Sequence, residues 1–345
     1  MRIFDLKQAV LGLPQQRLGD LRGSIEEYRK DALRVDSLPN VAKLKGIARQ
    51  SGTVSSCALS NVFLSDVEEK NLFEKGLPPT NLQTKICKGY LDALDMIDET
   101  FDKEEFTVSY ITNIHYRMYE AVNSDIGGKF KDTQNYIQES LNDGTNRTIY
   151  IPAAPEEAYP LLDNLVWQFN LVAEDSEVDK LELIAVFLCD FLCIHPYVHG
   201  NSRLSRLLLY YLLKRFGYKV DDYYALSYVF EHRIGEYIDS FRDSAKGWGS
   251  GSNDYEPFVH FILRSLRKAY RHLAYIVLMN ERAGTVEEKV QKIVLDSSSP
   301  ISKKVIEKVL YNANKATIEK SLGKLVKEGK IRLIARGASR KYGRL

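Results

Sequence analysis

The sequence predicts a mainly α-helical protein that carries one short β-hairpin and ends in a separate α/β domain. Residues 181–194 are apolar almost all round, which is typical of a helix at the centre of a bundle. Residues 202–215 repeat apolar side chains at helical spacing, which predicts a second helix packed in the same core. Residues 147–152 are alternating and β-branched, so they predict a short strand. We expect the remaining strands within residues 331–342.

Length and charge indicate how the chain divides. The 345 residues are enough for two or three domains, and the net charge of +2 is unevenly distributed. Residues 281–345 hold 16 Lys and Arg against 7 Asp and Glu, whereas the first 280 residues hold 32 against 39. A basic C-terminal part therefore follows an acidic body. We predict an N-terminal helical region at 1–79, a central domain at 80–280 and a C-terminal domain at 285–345.

The sequence has no membrane-spanning or secretory pattern. There is no run of about 18 apolar residues, and the N-terminal segment lacks the basic, apolar and small-residue series of a signal peptide. The four cysteines, Cys57, Cys87, Cys189 and Cys193, do not have the spacing of a disulfide scaffold. We therefore expect a cytoplasmic protein without a membrane partner.

The junction between the two central helices carries the functional prediction. Pro196 ends the first helix, because proline lacks an N–H group and disfavours helix in the residue before it. The turn at Gly200 leads into the second helix, where Arg203 and Arg206 share one face. Free backbone N–H groups, the positive end of this helix and two guanidinium groups converge, which predicts a phosphate site. His195 lies at the rim of the same turn, placed to take a proton.

These residues resemble the signature of the Fic family, His-x-Phe-x-(Asp/Glu)-Gly-Asn-Gly-Arg-x-x-Arg. Members of this family typically move AMP from ATP onto a hydroxyl group of a target protein, a reaction called AMPylation. The resemblance implies a Fic-fold helical bundle, ATP as the substrate, and a Ser, Thr or Tyr hydroxyl acceptor on a target protein or on the chain itself. Carried over by position, His195 is the general base. The implied nucleotide-binding residues are His199, Gly200, Asn201, Ser202, Arg203, Arg206 and Tyr237.

Two departures from this signature bear on activity, while Tyr197 in place of Phe is a mild change. His199 replaces the acidic residue that holds Mg²⁺ in the family, and Ser202 replaces the last glycine. Mg²⁺ prefers oxygen ligands and neutral imidazole suits softer metals, so we predict no protein metal ligand here. Whether Mg²⁺ or Mn²⁺ takes part is left open. Loss of the ion costs several kcal/mol of transition-state stabilisation, which is roughly a hundredfold or more in rate.

Three interpretations of these departures remain open. In the first, His199 contacts the phosphates itself, or another metal serves, and AMP transfer continues weakly. In the second, the donor or the transferred group differs from AMP. In the third, the site binds nucleotide without turnover and the protein is a DNA-binding regulator. We favour the enzyme, because His195 and both arginines are present.

The segment Ser55–Asn61 falls where many Fic proteins carry an inhibitory helix, (Ser/Thr)-x-x-x-Glu-(Gly/Asn). In the family pattern, the glutamate pairs with the second arginine of the signature and blocks the γ-phosphate. We align Leu59 with that glutamate, so no carboxylate reaches Arg206 from this position. An ordinary buried helix turn of small residues explains the segment equally well. On either interpretation the inhibitory glutamate is absent.

Residues 142–152 resemble the hairpin flap beside the active site of Fic folds. An exposed strand edge there can pair with an extended target segment through backbone hydrogen bonds. The implied docking residues are Ile149, Tyr150 and Ile151.

Two further segments resemble parts of the family. Residues 125–131 resemble its Gly-x-(Tyr/Phe)-Arg loop, with Lys131 in place of the arginine. Residues 233–238 match the segment whose tyrosine borders the adenine pocket, which makes Tyr237 the candidate.

A zinc site at Cys189, Cys193, His195 and His199 is an alternative use of the same segment. The two cysteines share a helix face, but so do packed core cysteines, and the spacing fits no common zinc site. We therefore expect no zinc there. His115 lies on an apolar helix stripe, and we expect a hydrogen-bonded core histidine.

The C-terminal part resembles a winged helix–turn–helix domain. Short helices are expected at 287–295 and 302–310, a third after Asn314, and wing strands at 331–334 and 340–342. Its cations suit the phosphate backbone of duplex DNA. The candidate DNA-binding residues are Lys315, Lys320, Lys324, Arg336, Arg340 and Lys341. Domains of this type also serve as protein-docking or homodimer modules, and charge alone favours DNA.

Overall fold

The computed structural model describes residues 2–122, 125–140, 144–335 and 340–345. The chain packs as two units, the first comprising Met1–Ser24 and Arg49–Ala269 and the second Ile25–Ala48 and Tyr270–Leu345. These units divide the chain at other points than residues 79, 280 and 285, because three long helices contribute residues to both. The three domains named from the sequence stay a prediction.

The chain is mainly helical, as predicted. The helices are α1 (Leu6–Leu11), α2 (Gln15–Ala32), α3 (Val41–Ala58), α4 (Asp66–Glu69), α5 (Leu82–Thr100), α6 (Val108–Tyr119), α7 (Pro155–Ala173), α8 (Lys180–Ile194), α9 (Asn201–Arg215), α10 (Leu226–Glu231), α11 (Ile234–Ala245), α12 (Glu256–Glu281), α13 (Val286–Asp296), α14 (Lys303–Val309) and α15 (Lys315–Lys327). The strands are β1 (Ile137–Ser140), β2 (Asn146–Tyr150), β3 (Ile301–Ser302), β4 (Arg332–Ala335) and β5 (Lys341–Gly343). Within the described ranges, no helix has the length and apolar character needed to cross a membrane.

Helix α8 is the buried centre of the first unit. Every residue from Leu181 to Ile194 is buried, and α8 packs against α1, α7, α9 and α11. Asp179 caps its first turn, since Oδ1 accepts hydrogen bonds from Leu181 N and Glu182 N at 3.0 Å. The predicted central helix is confirmed, and its C-terminal end delivers His195 to the junction with α9.

Strands β1 and β2 form an antiparallel hairpin, here called the flap (residues 137–150). Strand β2 confirms the predicted strand, although it ends at Tyr150 and not at residue 152. The sequence did not predict β1, because residues such as Glu139 have low β-propensity and the strand depends on pairing with β2. Arg147 Nη2 donates to Glu139 Oε2 across the pair at 2.5 Å. Asn142 and Asp143 of the expected turn lie outside the described residues.

The second unit contains α13, α14, α15 and a three-stranded antiparallel sheet in the order β3-β5-β4. On α15, Ile318, Leu322 and Leu325 are fully buried in the core of this unit, and Val326 packs against that core partly buried. Strand β3 was missed, because two residues carry no periodic signal. The winged helix–turn–helix assignment stays a prediction.

Candidate functional site

The loop of residues 195–200 joins α8 to α9 and carries the predicted site. His195 is the C-cap of α8, with φ 51° and ψ 60° in the left-handed region, and its N–H donates to Phe191 O at 2.9 Å. Residues other than glycine seldom adopt this conformation, so the surrounding contacts must stabilise it. The imidazole therefore leaves the end of a fully buried helix in a direction set by the backbone.

The imidazole of His195 is neutral at physiological pH. Burial, with the Lys131 ammonium and the His199 ring acting in the same direction, lowers the pKa of His195 to about 3. Its Nδ1 is buried and has no hydrogen-bond partner among the described residues. A neutral imidazole has one unprotonated ring nitrogen, which can accept a proton.

Gly200 and Asn201 fix the shape of the loop. Asn201 is 1% exposed, its Oδ1 accepts from Tyr197 N at 3.0 Å, and its Nδ2 donates to Tyr197 O at 2.8 Å. Gly200 has φ +78°, and a Cβ there would lie 2.7 Å from Tyr119 Oη. Because the Asn201 amide is occupied within the loop, the groups left for a ligand are the backbone N–H groups of the first turn of α9.

Arg203 is a buried cation with unused donor capacity. It is 7% exposed, Nη2 donates to Tyr119 Oη at 2.7 Å, and the guanidinium carbon lies 5.6 Å from the centre of that ring. Its Nε is buried without a hydrogen-bond partner in the described part of the chain. A charged donor left unpaired in a protein interior is costly, so the position favours an anionic ligand.

Arg206 has the same character and contacts only neutral groups in the described ranges. It is 3% exposed, Nε donates to Ser56 Oγ at 2.8 Å, and Nη2 donates to Ser56 O at 2.7 Å and Ser60 Oγ at 3.1 Å. Its Nη1 is buried without a partner among these residues. The alignment of Leu59 with the family glutamate was therefore wrong by one residue, because Ser60 is the side chain that reaches Arg206.

His115 supports the loop from α6. It is fully buried, Gly128 N donates to its Nδ1 at 2.8 Å, and its Nε2 lies 2.9 Å from His199 O. Since Nδ1 accepts, the proton is on Nε2, which donates to that carbonyl. The ring also stacks on Tyr197 with centroids 4.2 Å apart. The expectation of a hydrogen-bonded core histidine is confirmed, and the sequence did not reveal its contact with the loop.

The other predicted nucleotide-binding residues differ in exposure. The His199 side chain is exposed, and Ser202 is partly exposed at the start of α9. Tyr237, on α11, is partly exposed and stacks on Phe230 with centroids 5.2 Å apart. It also lies beside Phe261, at 5.5 Å. These contacts leave one edge of the Tyr237 ring at the protein surface.

The flap and α11 enclose a groove of about 610 Å³. Its walls include Ile149, Tyr150 and Ile151, the three predicted docking residues, together with Lys246. Tyr150 packs edge-on against Phe241, with centroids 5.8 Å apart, while Ile151 is 60% exposed. The groove is thus next to the outer edge of β2, where an extended segment could pair.

Lys131 and Asn135 are site residues for which the sequence gave no role. Both contact the backbone of the 195–200 loop. The available signal was the position of Lys131 in the loop that resembles Gly-x-(Tyr/Phe)-Arg. Asn135 carried no signal, because its contacts depend on the tertiary fold.

The described residues offer no ready cation site. They contain no group of three or more His, Cys, Asp or Glu arranged to hold a metal ion. The signature position that supplies an oxygen ligand in the family is the imidazole of His199, which is a poor ligand for Mg²⁺. The donor set of the loop therefore does not fit a protein-bound Mg²⁺.

The expected DNA-binding cations lie in the second unit. Lys315, Lys320, Arg340 and Lys341 are exposed. Lys324 is exposed as well, but its Nζ forms an ion pair with Glu287 at 2.8 Å. The last candidate, Arg336, lies outside the described residues.

Comparison with known proteins finds similarity over the part of the chain that holds this site. The model of the Fic/DOC family matches residues 105–213. A protein adenylyltransferase Fic from Nematostella vectensis is 25% identical over 181 residues, covering 51% of this chain and 36% of the relative. The chain thus spans about a third of the length of that curated relative.

Solved structures share the fold. The crystal structure of a Fic family protein from Desulfovibrio desulfuricans G20 superimposes with a TM-score of 0.61 at 15% identity, covering 100% of this chain and 98% of that chain. A Fic domain containing signaling protein from Bacteroides thetaiotaomicron gives a TM-score of 0.62 at 20% identity, with 76% and 100% covered. Residues 105–213 therefore match the Fic/DOC family model, and the chain shares its mainly helical fold with these solved structures.

Proposed function

We propose that this protein, through its Fic/DOC family domain, transfers AMP from ATP to a Ser, Thr or Tyr hydroxyl of a target protein or of itself. The observation that carries the proposal is a pair of buried guanidinium groups with unused donors, Arg203 Nε and Arg206 Nη1, on the helix that follows His195. A polyphosphate supplies the oxygen acceptors and the negative charge that both groups lack.

His195 is the proposed general base. It takes the proton from the acceptor hydroxyl, whose oxygen attacks the α-phosphorus of ATP. The bond between the α-phosphorus and the bridging oxygen breaks, and pyrophosphate leaves. The products are the adenylylated hydroxyl, pyrophosphate and one proton. A base with a pKa of about 3 is weak in the free protein, and bound polyphosphate raises that pKa toward neutrality because an anion stabilises the imidazolium.

The nucleotide is proposed to lie along the start of α9. The first backbone N–H groups of this helix, from Asn201 and Ser202, would donate to the phosphates, and the positive end of the helix dipole favours an anion at the same place. Gly200 allows close approach of the backbone, and His199 is exposed beside it. Tyr237 offers its aromatic edge to the adenine.

The target segment is proposed to dock on the flap. An extended chain in the groove beside Ile149, Tyr150 and Ile151 can pair with the outer edge of β2. Backbone pairing fixes the acceptor hydroxyl and demands little of the target's side chains. No step of this reaction is assigned to a metal ion, since the loop offers no carboxylate ligand.

Mass spectrometry of the intact chain tests the proposal. After incubation with ATP and candidate target protein, we expect a mass increase of one adenylyl group on a Ser, Thr or Tyr. The increase should be absent with His195→Ala and retained with His232→Ala, a variant of an exposed histidine. Adenylylation by His195→Ala would remove His195 as the base, and no addition with any metal would favour the binding-only alternative.

Duplex DNA binding by the second unit is a second proposed function. The observation in its favour is the exposed cationic side of α15, a helix capped by Asn314, where Lys315 and Lys320 have no acidic partner among the described residues. In the full chain, Lys315→Gln/Lys320→Gln should weaken binding to duplex DNA and reduce its salt dependence by about two ions. Lys70→Gln/Lys75→Gln is the matched control. If the chain dimerises and ignores DNA at low salt, the domain is a docking module instead.

A further inference from the structure

The backbone around His195 is held through four consecutive carbonyl groups. Lys131 Nζ donates to Ile194 O at 2.9 Å, and Lys131 N donates to Pro196 O at 2.9 Å. Asn135 Nδ2 donates to Tyr197 O at 3.1 Å and, more weakly, to His195 O at 3.4 Å. Every carbonyl from 194 to 197 thus accepts a hydrogen bond from Lys131 or Asn135. These bonds account for the left-handed backbone at residue 195, which would otherwise be strained.

Lys131 is a buried ammonium whose ligands are oxygens of the same region. Its side chain is 5% exposed, and Nζ donates to Ala153 O at 2.7 Å and to Asn135 Oδ1 at 3.2 Å in addition to Ile194 O. Burial lowers the pKa of Lys131 to about 8, so the amine is largely protonated at neutral pH. It lies at the C-terminal end of α8, where the helix dipole favours a cation.

The Lys131 ammonium also connects the flap to the end of α8 that carries His195. Ala153 follows the flap, and its N–H donates to Cys193 O at 3.1 Å while its carbonyl accepts from Lys131. The segment that follows the flap is therefore hydrogen-bonded to the last turn of α8, and the Lys131 side chain donates to both. A shift of Lys131 would move both together.

We propose that Lys131 and Asn135 are positioning residues for His195, holding its backbone and fixing the spacing between the imidazole and the flap. This inference rests on the proposed function, because His195 needs a fixed position only if it acts on a docked hydroxyl. Lys131 also acts electrostatically. Burial is the main cause of the lowered pKa of His195, and the nearby Lys131 ammonium and His199 ring act in the same direction. Lys131 therefore adds to the effect of burial in opposing protonation of the base.

A titration of the histidine rings by NMR tests the inference in the full chain. His195 is assigned by the resonance that disappears in His195→Ala. In Lys131→Met we expect its pKa to rise by about one unit or more, since a nearby cation is removed. Lys129→Met is the matched control, because the Lys129 side chain is 54% exposed and forms an ion pair with the exposed Asp132 at 3.2 Å. An unchanged His195 pKa in folded Lys131→Met overturns the electrostatic role, as does an equal rise in Lys129→Met.

Asn135→Ala gives a second readout that does not depend on Lys131→Met folding. This variant keeps the Lys131 ammonium and removes the Asn135 amide that donates to His195 O and Tyr197 O, while Asn201 Nδ2 still donates to Tyr197 O. We expect hydrogen exchange at the Val198 amide, which donates to Lys129 O at 3.2 Å, to become about tenfold faster or more. Gln138→Ala, in the flap, is the control. Equal protection in Asn135→Ala and wild type overturns the positioning role.

These measurements separate the inference from the proposed function, because neither needs turnover. If the pKa and exchange change as expected but no AMP is transferred, the positioning network stands and the proposed reaction fails. If AMP is transferred while the His195 pKa and Val198 exchange stay constant in the two variants, the inference fails alone. In an active enzyme, Lys131→Met should also move the acidic limb of the pH profile of kcat to higher pH, and Lys129→Met should leave that limb unchanged.

Discussion

Arg206 is held by Ser56, whose side-chain oxygen accepts from Nε at 2.8 Å and whose carbonyl accepts from Nη2 at 2.7 Å. Both partners are neutral, and the third, Ser60 Oγ, is neutral as well. In the family pattern a glutamate at this point pairs with the second arginine. With Ser56 and Asn61 at the two ends, the segment fits (Ser/Thr)-x-x-x-Glu-(Gly/Asn) except that Ser60 replaces the glutamate. The guanidinium therefore keeps its charge available to an anionic ligand.

Ser60→Glu should weaken ATP binding. Its carboxylate would lie against Arg206 and form a charge-assisted pair that a phosphate must displace. We expect the Kd for ATP to rise about tenfold or more, which is about 1.4 kcal/mol, in isothermal titration calorimetry. Leu59→Glu is the matched control, since the hydrogen bonds of Arg206 in the described part of the chain run to Ser56 and Ser60. Equal affinity of Ser60→Glu and wild type would show that this position does not control the phosphate site.

The difference between residues 59 and 60 illustrates what sequence reasoning could reach. The apolar period of α8 and α9 and the Pro196–Gly200 junction were enough to predict the central helices and to bring His195, Arg203 and Arg206 into one loop and helix. The alignment of the short polar segment is not determined by any period. Its only signal in the sequence is Asn61, which occupies the final (Gly/Asn) position when the pattern starts at Ser56 but not when it starts at Ser55. The contacts of Ser56 and Ser60 with Arg206 select the same alignment.

Contacts that depend on tertiary structure were missed for a different reason. Lys131 and Asn135 bind main-chain oxygens, which every residue carries, so no partner residue marks them in the sequence. Strand β1 likewise depends on its ladder with β2, and its own residues do not favour a strand.

His199→Asp should raise AMP transfer in the presence of Mg²⁺. The substitution supplies an oxygen ligand at the signature position that now carries an imidazole. Transfer should increase about tenfold or more, since each 1.36 kcal/mol of transition-state stabilisation is tenfold in rate. His199→Asn, of similar size but neutral, is the control. If wild type already transfers AMP as fast as His199→Asp, the imidazole itself serves the reaction. If neither wild type nor His199→Asp transfers AMP although ATP binds, the transferred group is not AMP.

Gly200→Ala should destabilise the first unit. The added Cβ would lie 2.7 Å from Tyr119 Oη, at a residue with φ +78°. We expect a loss of about 1–3 kcal/mol in the free energy of unfolding, measured by chemical denaturation. Gly249→Ala is the control, because no atom lies within 4 Å of its Cβ position, and it should stay within about 0.5 kcal/mol of wild type. Equal stability of the two variants would mean that the loop moves freely away from Tyr119.

His115 should make folding sensitive to acid. Burial lowers the pKa of His115 to about 4, from an ordinary value of 6.5 that the unfolded chain retains. Between these values the unfolded chain binds one more proton at this site than the folded chain. The contribution of His115 to the free energy of unfolding therefore falls as the pH decreases through this window.

The pH dependence of stability must be compared between wild type and His115→Gln, because other buried groups titrate in the same pH range. Burial raises the pKa of Asp190 to about 6 and of Asp221 to about 7, which acts in the opposite direction. His115→Gln leaves these groups in place and removes the imidazole. We expect it to be less stable than wild type at pH 7.5, with a difference that shrinks toward pH 4 in urea denaturation. A difference that stays constant with pH would contradict the assignment of a neutral, buried His115.

The most direct measurement compares ATP labelled at the α-phosphate with ATP labelled at the γ-phosphate, using the full chain and candidate target proteins. Transfer of AMP places the α-label on protein and releases the γ-label as pyrophosphate. We predict protein-bound radioactivity from α-labelled ATP alone, lost in His195→Ala and reduced at least about tenfold in Arg206→Ala. Protein labelled from γ-labelled ATP, or α-labelling that persists without His195, would contradict AMP transfer by this base.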